Sequence, residues 1–253
     1  MDDYDPSTYG NSIAEVYDRW YASLGPDAAV ACLRELAGGA GPVLELGIGT
    51  GRIALPLSRA GVEVHGIDSS AAMVAKLRSK PGGDRLRVTL GDFADVAVGG
   101  RYPLIFVAFN TLFALTSQED QLRCFRNVAG RLDPRGRFVL DAFVPDLARF
   151  ERNQRIGLEA HDPDAVRIEA SLHDPVRQTV TSRHVVLTEH GAKFYPLEVR
   201  YAWPSELDLM ARLAGLRLVH RWGDWNRLPF DSRSTQHVSV YERDAQDAGE
   251  RDG

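Results

Sequence analysis

The chain has 253 residues, of which 44% are hydrophobic and 26% charged, a composition typical of globular proteins and not of disordered or fibrous ones. Its 30 Lys and Arg against 35 Asp and Glu give a formal net charge of −5. The chain therefore lacks the general positive field that attracts phosphate backbones, and we expect no nucleic-acid partner.

Cysteines and histidines give no sign of a structural or catalytic metal. Cys32 and Cys124 lie far apart with no CxxC or Cys/His spacing around them, which argues against a disulfide framework and a zinc site. Two His-Asp-Pro triplets, at 161–163 and 173–175, are better explained as Asp-Pro turns beside a strand. The first ten residues are acidic and polar, and no run of about 18 apolar residues occurs. We expect a cytoplasmic protein with no membrane partner and no metal.

Residues 1–40 are predicted to form a helical cap. Apolar side chains recur at helical spacing around 13–21 and again around 29–36. Pro26 is well placed to open the second of these helices.

Residues 41–145 alternate short apolar runs with helical patterns. Because strands that alternate with helices make right-handed crossovers, this region predicts a mostly parallel sheet covered on both faces. The predicted strands are 43–46, 62–67, 86–90, 104–109 and 138–143, and helices follow residue 52 and lie at 71–77 and 120–132.

After Pro145 the apolar residues recur with period two, which indicates half-exposed antiparallel strands. Residues 146–203 are therefore predicted to be an inserted antiparallel β lid, with strands at 166–172, 176–188 and 195–203 and a hairpin turn at 189–191.

The remaining residues complete the predicted core. Residues 204–242 contain a helix at 205–213, a C-cap at Gly215 and two strands at 216–221 and 236–241, and residues 243–253 are expected to be a disordered tail. The predicted fold is α/β: a doubly wound, mostly parallel seven-stranded sheet with helices on both faces and an inserted antiparallel β lid.

The strongest functional signal is Glu45-Leu46-Gly47-Ile48-Gly49-Thr50-Gly51, where the first strand turns into a helix. Glycines at 47 and 49 permit a tight turn and a close approach to a ligand, and the following helix directs free N–H groups at the loop. A dinucleotide fingerprint requires glycine at position 52, where this chain has Arg52. The loop is therefore predicted to bind a polar or anionic ligand, but not in the way that a dinucleotide-binding loop does.

Glycines spaced by single residues, with an acid two positions before the first, resemble motif I of class I Rossmann-like S-adenosylmethionine-dependent methyltransferases. The resemblance covers residues 40–145 and the last two strands. It implies S-adenosylmethionine as cofactor and S-adenosylhomocysteine as product, with Glu45 at the methionine amino group. It also implies Asp68 at the ribose hydroxyls and Asp92 at the adenine amino group, because each follows a predicted strand.

Further cofactor contacts are implied by the same resemblance. Tyr17 would close over the cofactor, Met73 would cover one adenine face, and Asn110 would contact the methionine carboxylate or the acceptor; simple packing or helix capping is the competing interpretation of Tyr17 and Asn110. The full predicted set is Tyr17, Glu45, Gly47, Ile48, Gly49, Thr50, Gly51, Arg52, Asp68, Ser69, Met73, Gly91, Asp92, Phe93, Phe109 and Asn110.

Methyl transfer itself asks little of the protein beyond holding the nucleophile and the methyl group close together in a dry cavity. A general base is needed only for a nucleophile that arrives protonated. The predicted catalytic residues are His237, Asp141 and Asn110, with Glu198 on the lid as a further candidate base.

The inserted strands resemble the lid of the glycine and amino-sugar N-methyltransferases, which implies a small-molecule acceptor methylated on nitrogen or oxygen by a monomer or homodimer. The aromatic stretch 222–226 and Phe230 are expected either to line the acceptor pocket or to pack the lid on the main sheet. Two alternatives stay open. The fold could serve non-methylating chemistry of S-adenosylmethionine or its decarboxylated form, or the chain could be a NAD-dependent oxidoreductase, which Arg52 disfavours.

Overall fold

The computed structural model, which describes residues 4–39 and 41–244, contains one large and one small β-sheet. Its helices are α1 (Thr8–Ile13), α2 (Tyr17–Trp20), α3 (Asp27–Ala37), α4 (Ala54–Arg59), α5 (Ala71–Arg78), α6 (Gln118–Arg131) and α7 (Pro204–Leu213). Its strands are β1 (Val43–Leu46), β2 (Val64–Asp68), β3 (Arg87–Leu90), β4 (Tyr102–Val107), β5 (Leu132–Phe143), β6 (Gln154–His161), β7 (Ala165–Asp174), β8 (Thr179–Thr188), β9 (Gly191–Arg200), β10 (Leu216–Trp222) and β11 (Gln236–Arg243).

The large sheet has the order β10-β11-β5-β4-β1-β2-β3. Strands β1 to β5 pair in parallel, and β11 runs antiparallel to both of its neighbours. The predicted mostly parallel, seven-stranded sheet is confirmed. The strand order reverses between β1 and β4, so the ligand crevice of this architecture lies at the carboxyl ends of these two strands.

Both faces of the large sheet are buried. Successive residues of its central strands point to opposite sides, and each side packs in its own apolar cluster. Phe138 of β5 packs in one apolar cluster with Phe125 of α6. Val139, the next residue, packs in a second cluster with Leu33 of α3 and Val238 of β11. This alternation fixes the register of the sheet and therefore the positions of the loops at its edge.

The small sheet is the lid, with four antiparallel strands in the order β6-β7-β8-β9. The sequence predicted three of them and missed β6. That strand contains Gly157, and its large apolar side chains Ile156 and Leu158 are 77% and 66% exposed, so it has no buried apolar stripe to reveal it. The predicted hairpin turn is present, since β8 ends at Thr188 and β9 begins at Gly191.

The two ends of the chain depart from the predicted elements. The pattern at 13–21 predicted one helix but forms the short helices α1 and α2, which pack against α5 and the lid. The last strand extends to Arg243, which was predicted to be the first residue of the tail; residues 245–253 of that prediction lie outside the described residues. Within residues 4–39 and 41–244, no helix combines the length and apolar character needed to cross a membrane. The predicted domain boundaries remain predictions.

Candidate functional site

The glycine loop leaves β1 in a conformation that side chains rarely adopt. Gly47, Gly49 and Gly51 have φ angles of +71°, +54° and +81°, which cost glycine little. A Cβ at Gly51 would collide with Leu77 of α5, so this glycine allows close packing. A Cβ at Gly49 would meet nothing nearer than the Gly47 carbonyl oxygen at 3.9 Å. Gly49 therefore presents the open side of the loop, where a ligand can approach the backbone.

Two buried carboxylates stand beside this loop. Asp68 ends β2, and its two oxygens accept hydrogen bonds from the Gly49 N–H (2.7 Å) and the Ser70 N–H (2.8 Å). Glu45 is 4% exposed, and its Oε2 has no hydrogen-bond partner. Burial and the neighbouring Asp68 raise the pKa of Glu45 well above its usual range. A buried, unpaired carboxylate oxygen is suited to receive an ammonium group.

Arg52 supplies an opposite charge at the same loop. Its Nη2 donates to the Leu24 carbonyl (2.8 Å), and its guanidinium carbon lies 3.4 Å from the centroid of the Phe109 ring. Its Nε is buried without a hydrogen-bond partner. Burial raises the pKa of the adjacent Tyr17 to about 12, against the opposing effect of Arg52. Arg52 thus keeps a donor available for a carboxylate.

The predicted adenine contacts lie farther along the same edge. Asp92 accepts from the Ala94 N–H (2.8 Å), and the preceding Gly91 N–H donates to the Asp68 carbonyl (2.8 Å). Met73 is 4% exposed and packs with α1. Ser69 Oγ donates to the Pro6 carbonyl (2.8 Å). The structure brings the ends of β2 and β3 together, with the N-terminal segment covering this end of the site.

Asp141 and Asn110 fasten the loop that follows β4. Phe109 and Asn110 both have φ of +60°, a strained conformation for residues with side chains. Asp141 Oδ1 accepts from the Phe109 N–H (2.5 Å), and Asp141 Oδ2 accepts from Trp225 Nε1 (3.3 Å). Asn110 Oδ1 accepts from the Phe143 N–H (2.6 Å). These side-chain bonds position Phe109 beneath Arg52, and Asp141 is not among the residues that line the cavity described below.

Neither of the other two candidate bases, His237 and Glu198, lines the cavity described below. His237 is fully buried, with Nδ1 2.9 Å from Ser239 Oγ, and burial lowers its pKa to about 4. Such an imidazole takes up no proton at neutral pH, so the arrangement argues against the predicted role of His237 as a base. Glu198 lies between Leu197 and Val199, which face the cavity described next, so its own side chain points to the outer face of the lid.

A cavity of about 740 Å³ opens between the carboxyl ends of β4 and β5, the N-terminal helices and the inner face of the lid. Its aromatic lining is Tyr9, Tyr17, Tyr21, Phe109, Phe143, Phe150 and Tyr201, and its charged lining is Arg52, Asp146, Arg149, Glu169 and Arg233. Asn110, Phe109, Arg52 and Tyr17 were predicted from sequence; the lid residues were not. The signal available in the sequence was the alternation of polar and apolar residues along β7, which places Glu169 and its neighbours on opposite faces of the lid. In the structure, Glu169 is on the inner face.

The aromatic stretch 222–226 does not line this cavity among the described residues. Trp225 instead holds Asp141, and the Trp222 ring stacks on His220 with centroids 5.3 Å apart. Trp222 and Trp225 pack against an apolar cluster of the large sheet that contains no lid residue, so neither expectation for this stretch, lining the pocket or packing the lid on the main sheet, describes its position. No group of three or more His, Cys, Asp or Glu side chains in the described ranges could hold a metal ion.

Comparisons with known proteins agree with this geometry. A family model described as a methyltransferase domain matches residues 43–136. The CcbJ methyltransferase from Streptomyces caelestis is 46% identical and superposes with a TM-score of 0.88, over 96% of this chain and 100% of that one. The cypemycin N-terminal methyltransferase of a Streptomyces species is 29% identical over 246 residues, 94% of this chain and 99% of that protein.

A more distant structure shares the fold. CalS10 from Micromonospora echinaspora, an amino pentose methyltransferase involved in calicheamicin biosynthesis and solved with bound S-adenosylmethionine, is 20% identical with a TM-score of 0.67, over 90% of this chain and 96% of that one.

Proposed function

The chain belongs to the S-adenosylmethionine-dependent methyltransferases, and from that premise we propose that it methylates an amine of a small-molecule metabolite. The observation that carries the proposal is the 740 Å³ cavity, which adjoins the glycine loop and is roofed by the lid. When bound, the cofactor supplies a methyl group on a sulfonium, which a neutral amine can take up by in-line displacement.

The residues around the glycine loop fit this cofactor. The unpaired Glu45 Oε2 and the unpaired Arg52 Nε are buried groups of opposite charge, and they suit the amino and carboxylate groups of the methionine moiety. Asp68 would hold the ribose. Its oxygens already accept two backbone N–H groups, but each carboxylate oxygen has a second lone pair for a hydroxyl. Asp92 would receive the adenine amino group.

An amine acceptor needs no dedicated base, because its ammonium form can lose its proton to solvent before the neutral amine reacts. The charged lining of the cavity is largely paired: Arg149 lies 3.2 Å from Glu169, and Arg233 lies 2.9 Å from Asp231.

A hydroxyl acceptor fits less well, because it would need a base to remove its proton in the transition state. No histidine lines the cavity among the described residues. Burial raises the pKa values of Tyr9 and Tyr17, so their phenols stay neutral, and Glu169 is engaged by Arg149 and Arg155. We therefore favour nitrogen over oxygen as the acceptor atom.

The names of two relatives support an amine. One is described as a cypemycin N-terminal methyltransferase and the other as an amino pentose methyltransferase, and both names point to an acceptor that carries an amine. The proposal includes a cytoplasmic location, which the free, buried thiols of Cys32 and Cys124 suit, and a monomer or homodimer as the working form.

The test is methyl transfer to matched acceptors. The purified protein and labelled S-adenosylmethionine are incubated with amino sugars, peptides with free N-termini, and the corresponding compounds in which a hydroxyl replaces the amine. We expect labelled product, seen by mass spectrometry, from at least one amine and not from its hydroxyl counterpart, and much less of it with Asp68→Asn at a cofactor concentration below the wild-type Kd. Methylation confined to hydroxyl compounds would contradict the proposal.

A further inference from the structure

Trp20, the last residue of α2, contacts residues of three lid strands, β7, β8 and β9. Its indole ring meets Tyr195 of β9 edge-on, with centroids 4.8 Å apart, and His184 of β8 at 6.0 Å. The guanidinium carbon of Arg167, on β7, lies 4.2 Å from the indole centroid. Glu159 of β6 pairs with two of these residues, Arg167 and His184. These four lid residues are called the Trp20 cluster. Such aromatic and cation–π contacts are directional, so they fix the orientation of the ring.

Glu159 stabilises the Trp20 cluster through two ion pairs. Its Oε2 lies 2.9 Å from His184 Nδ1 and 3.1 Å from Arg167 Nε. Partial burial opposes the charge of Glu159, but these two partners still bring its pKa below the usual range. One carboxylate oxygen therefore ties β7 and β8 to β6 beside the indole.

Helix α2 connects the Trp20 cluster to the methyl-transfer site. Tyr17 and Tyr21, which precede and follow Trp20 by at most three residues, line the cavity. Asp18 accepts a hydrogen bond from Thr50 Oγ1 of the glycine loop (2.6 Å) and pairs with Lys80 (2.6 Å). A four-residue helix is too short to hold its position by itself, so its side-chain contacts decide where Tyr17 and Asp18 lie.

We propose that Trp20 is a positioning residue for methyl transfer: anchored in the lid by Glu159, Arg167, His184 and Tyr195, it sets Tyr17 against Arg52 and Asp18 against Thr50. The lid and the cofactor loop then act as one unit. The inference rests on the proposed function, because it assumes that S-adenosylmethionine occupies the glycine loop.

The experiment measures binding of S-adenosylhomocysteine to the full chain by calorimetry, which needs no acceptor. We expect Trp20→Ala to raise the Kd at least fivefold, whereas Trp20→Phe, which keeps an aromatic ring between Tyr195 and Arg167, stays within twofold of the wild type. Glu159→Gln should shift the Kd in the same direction as Trp20→Ala. Trp203→Ala is the matched control, because Trp203 is 40% exposed and contributes backbone atoms to the start of α7; we expect no change in Kd.

Melting temperatures separate positioning from general stability. A lower melting temperature for Trp20→Ala with a wild-type Kd would overturn the inference, and so would a Kd that Phe fails to rescue. If Trp20→Ala does not fold, the Kd of Glu159→Gln decides in the same way. Failure of the wild-type protein itself to bind S-adenosylhomocysteine would instead remove the proposed function.

Discussion

Asp141 offers a direct test of how the loop after β4 is held. Burial raises the pKa of its carboxyl group from 3.8 to about 6. Between these values the folded protein binds the proton more tightly than the unfolded chain does, so this residue makes the protein less stable as the pH rises through the window. At about 1.36 kcal/mol per pKa unit, the loss amounts to about 2 kcal/mol between pH 4 and pH 7.

Asp141→Asn removes this titration and conserves the size of the side chain. The amide oxygen can accept from only one of the two donors, the Phe109 N–H or Trp225 Nε1–H, which costs about 1–3 kcal/mol at every pH. We expect the difference in free energy of unfolding between the two proteins, measured by urea denaturation, to shift by about 2 kcal/mol in favour of the variant from pH 4 to pH 7.

Asp164→Asn, in an exposed turn of the lid, is the matched control and should run parallel to the wild type. The free energy of unfolding of Asp141→Asn could instead follow the same pH dependence as that of the wild type. The Asp141 carboxyl group would then not be desolvated in the folded protein, and the conclusion that it holds the loop after β4 in place would be wrong.

Substitutions at three further positions test the cofactor loop. Asp68→Asn removes the charge that accepts the Gly49 N–H and would hold the ribose, so calorimetry should show at least tenfold weaker binding of S-adenosylhomocysteine, about 1.5–3 kcal/mol. Gly49→Val places a β-branched residue at φ +54°, which costs about 1–3 kcal/mol of stability; circular dichroism should show a folded protein that no longer binds, and normal binding would refute the loop assignment. Arg52→Met should weaken binding at least tenfold, and Arg52→Lys should recover only part of it, because an ammonium cannot stack on Phe109 as the planar guanidinium does; full recovery by Lys would show that charge alone matters there.

Local signals in the sequence were sufficient to predict the large sheet and the placement of three acids along one of its edges. Glycines at 47, 49 and 51 encode a turn that other residues resist, and this information is local. Glu45 and Asp68 lie at the ends of β1 and β2, and Asp92 follows β3. Because parallel strands bring their carboxyl ends to one edge of a sheet, identifying the strands was enough to expect these acids near one another.

The surroundings of the remaining candidates depend on the folded structure. His237 and Asp141 have unremarkable sequence surroundings, and their protonation depends on burial and on partners distant in sequence, such as Trp225 for Asp141. Neither burial nor these partners can be read from spacing along the chain. The structure therefore makes Asp141 a fastener of the Phe109 loop and leaves His237 inside the core.

The lid residues that line the cavity could not be predicted from the sequence, because their positions also depend on strand pairing. An antiparallel strand exposes alternate residues to opposite faces, so a single register decides whether Glu169 or its neighbours face the cavity. The four residues around Trp20 come from four strands between positions 159 and 195. Their meeting point exists only once those strands are paired and packed against α2, which is why the sequence could predict a lid but not what the lid holds.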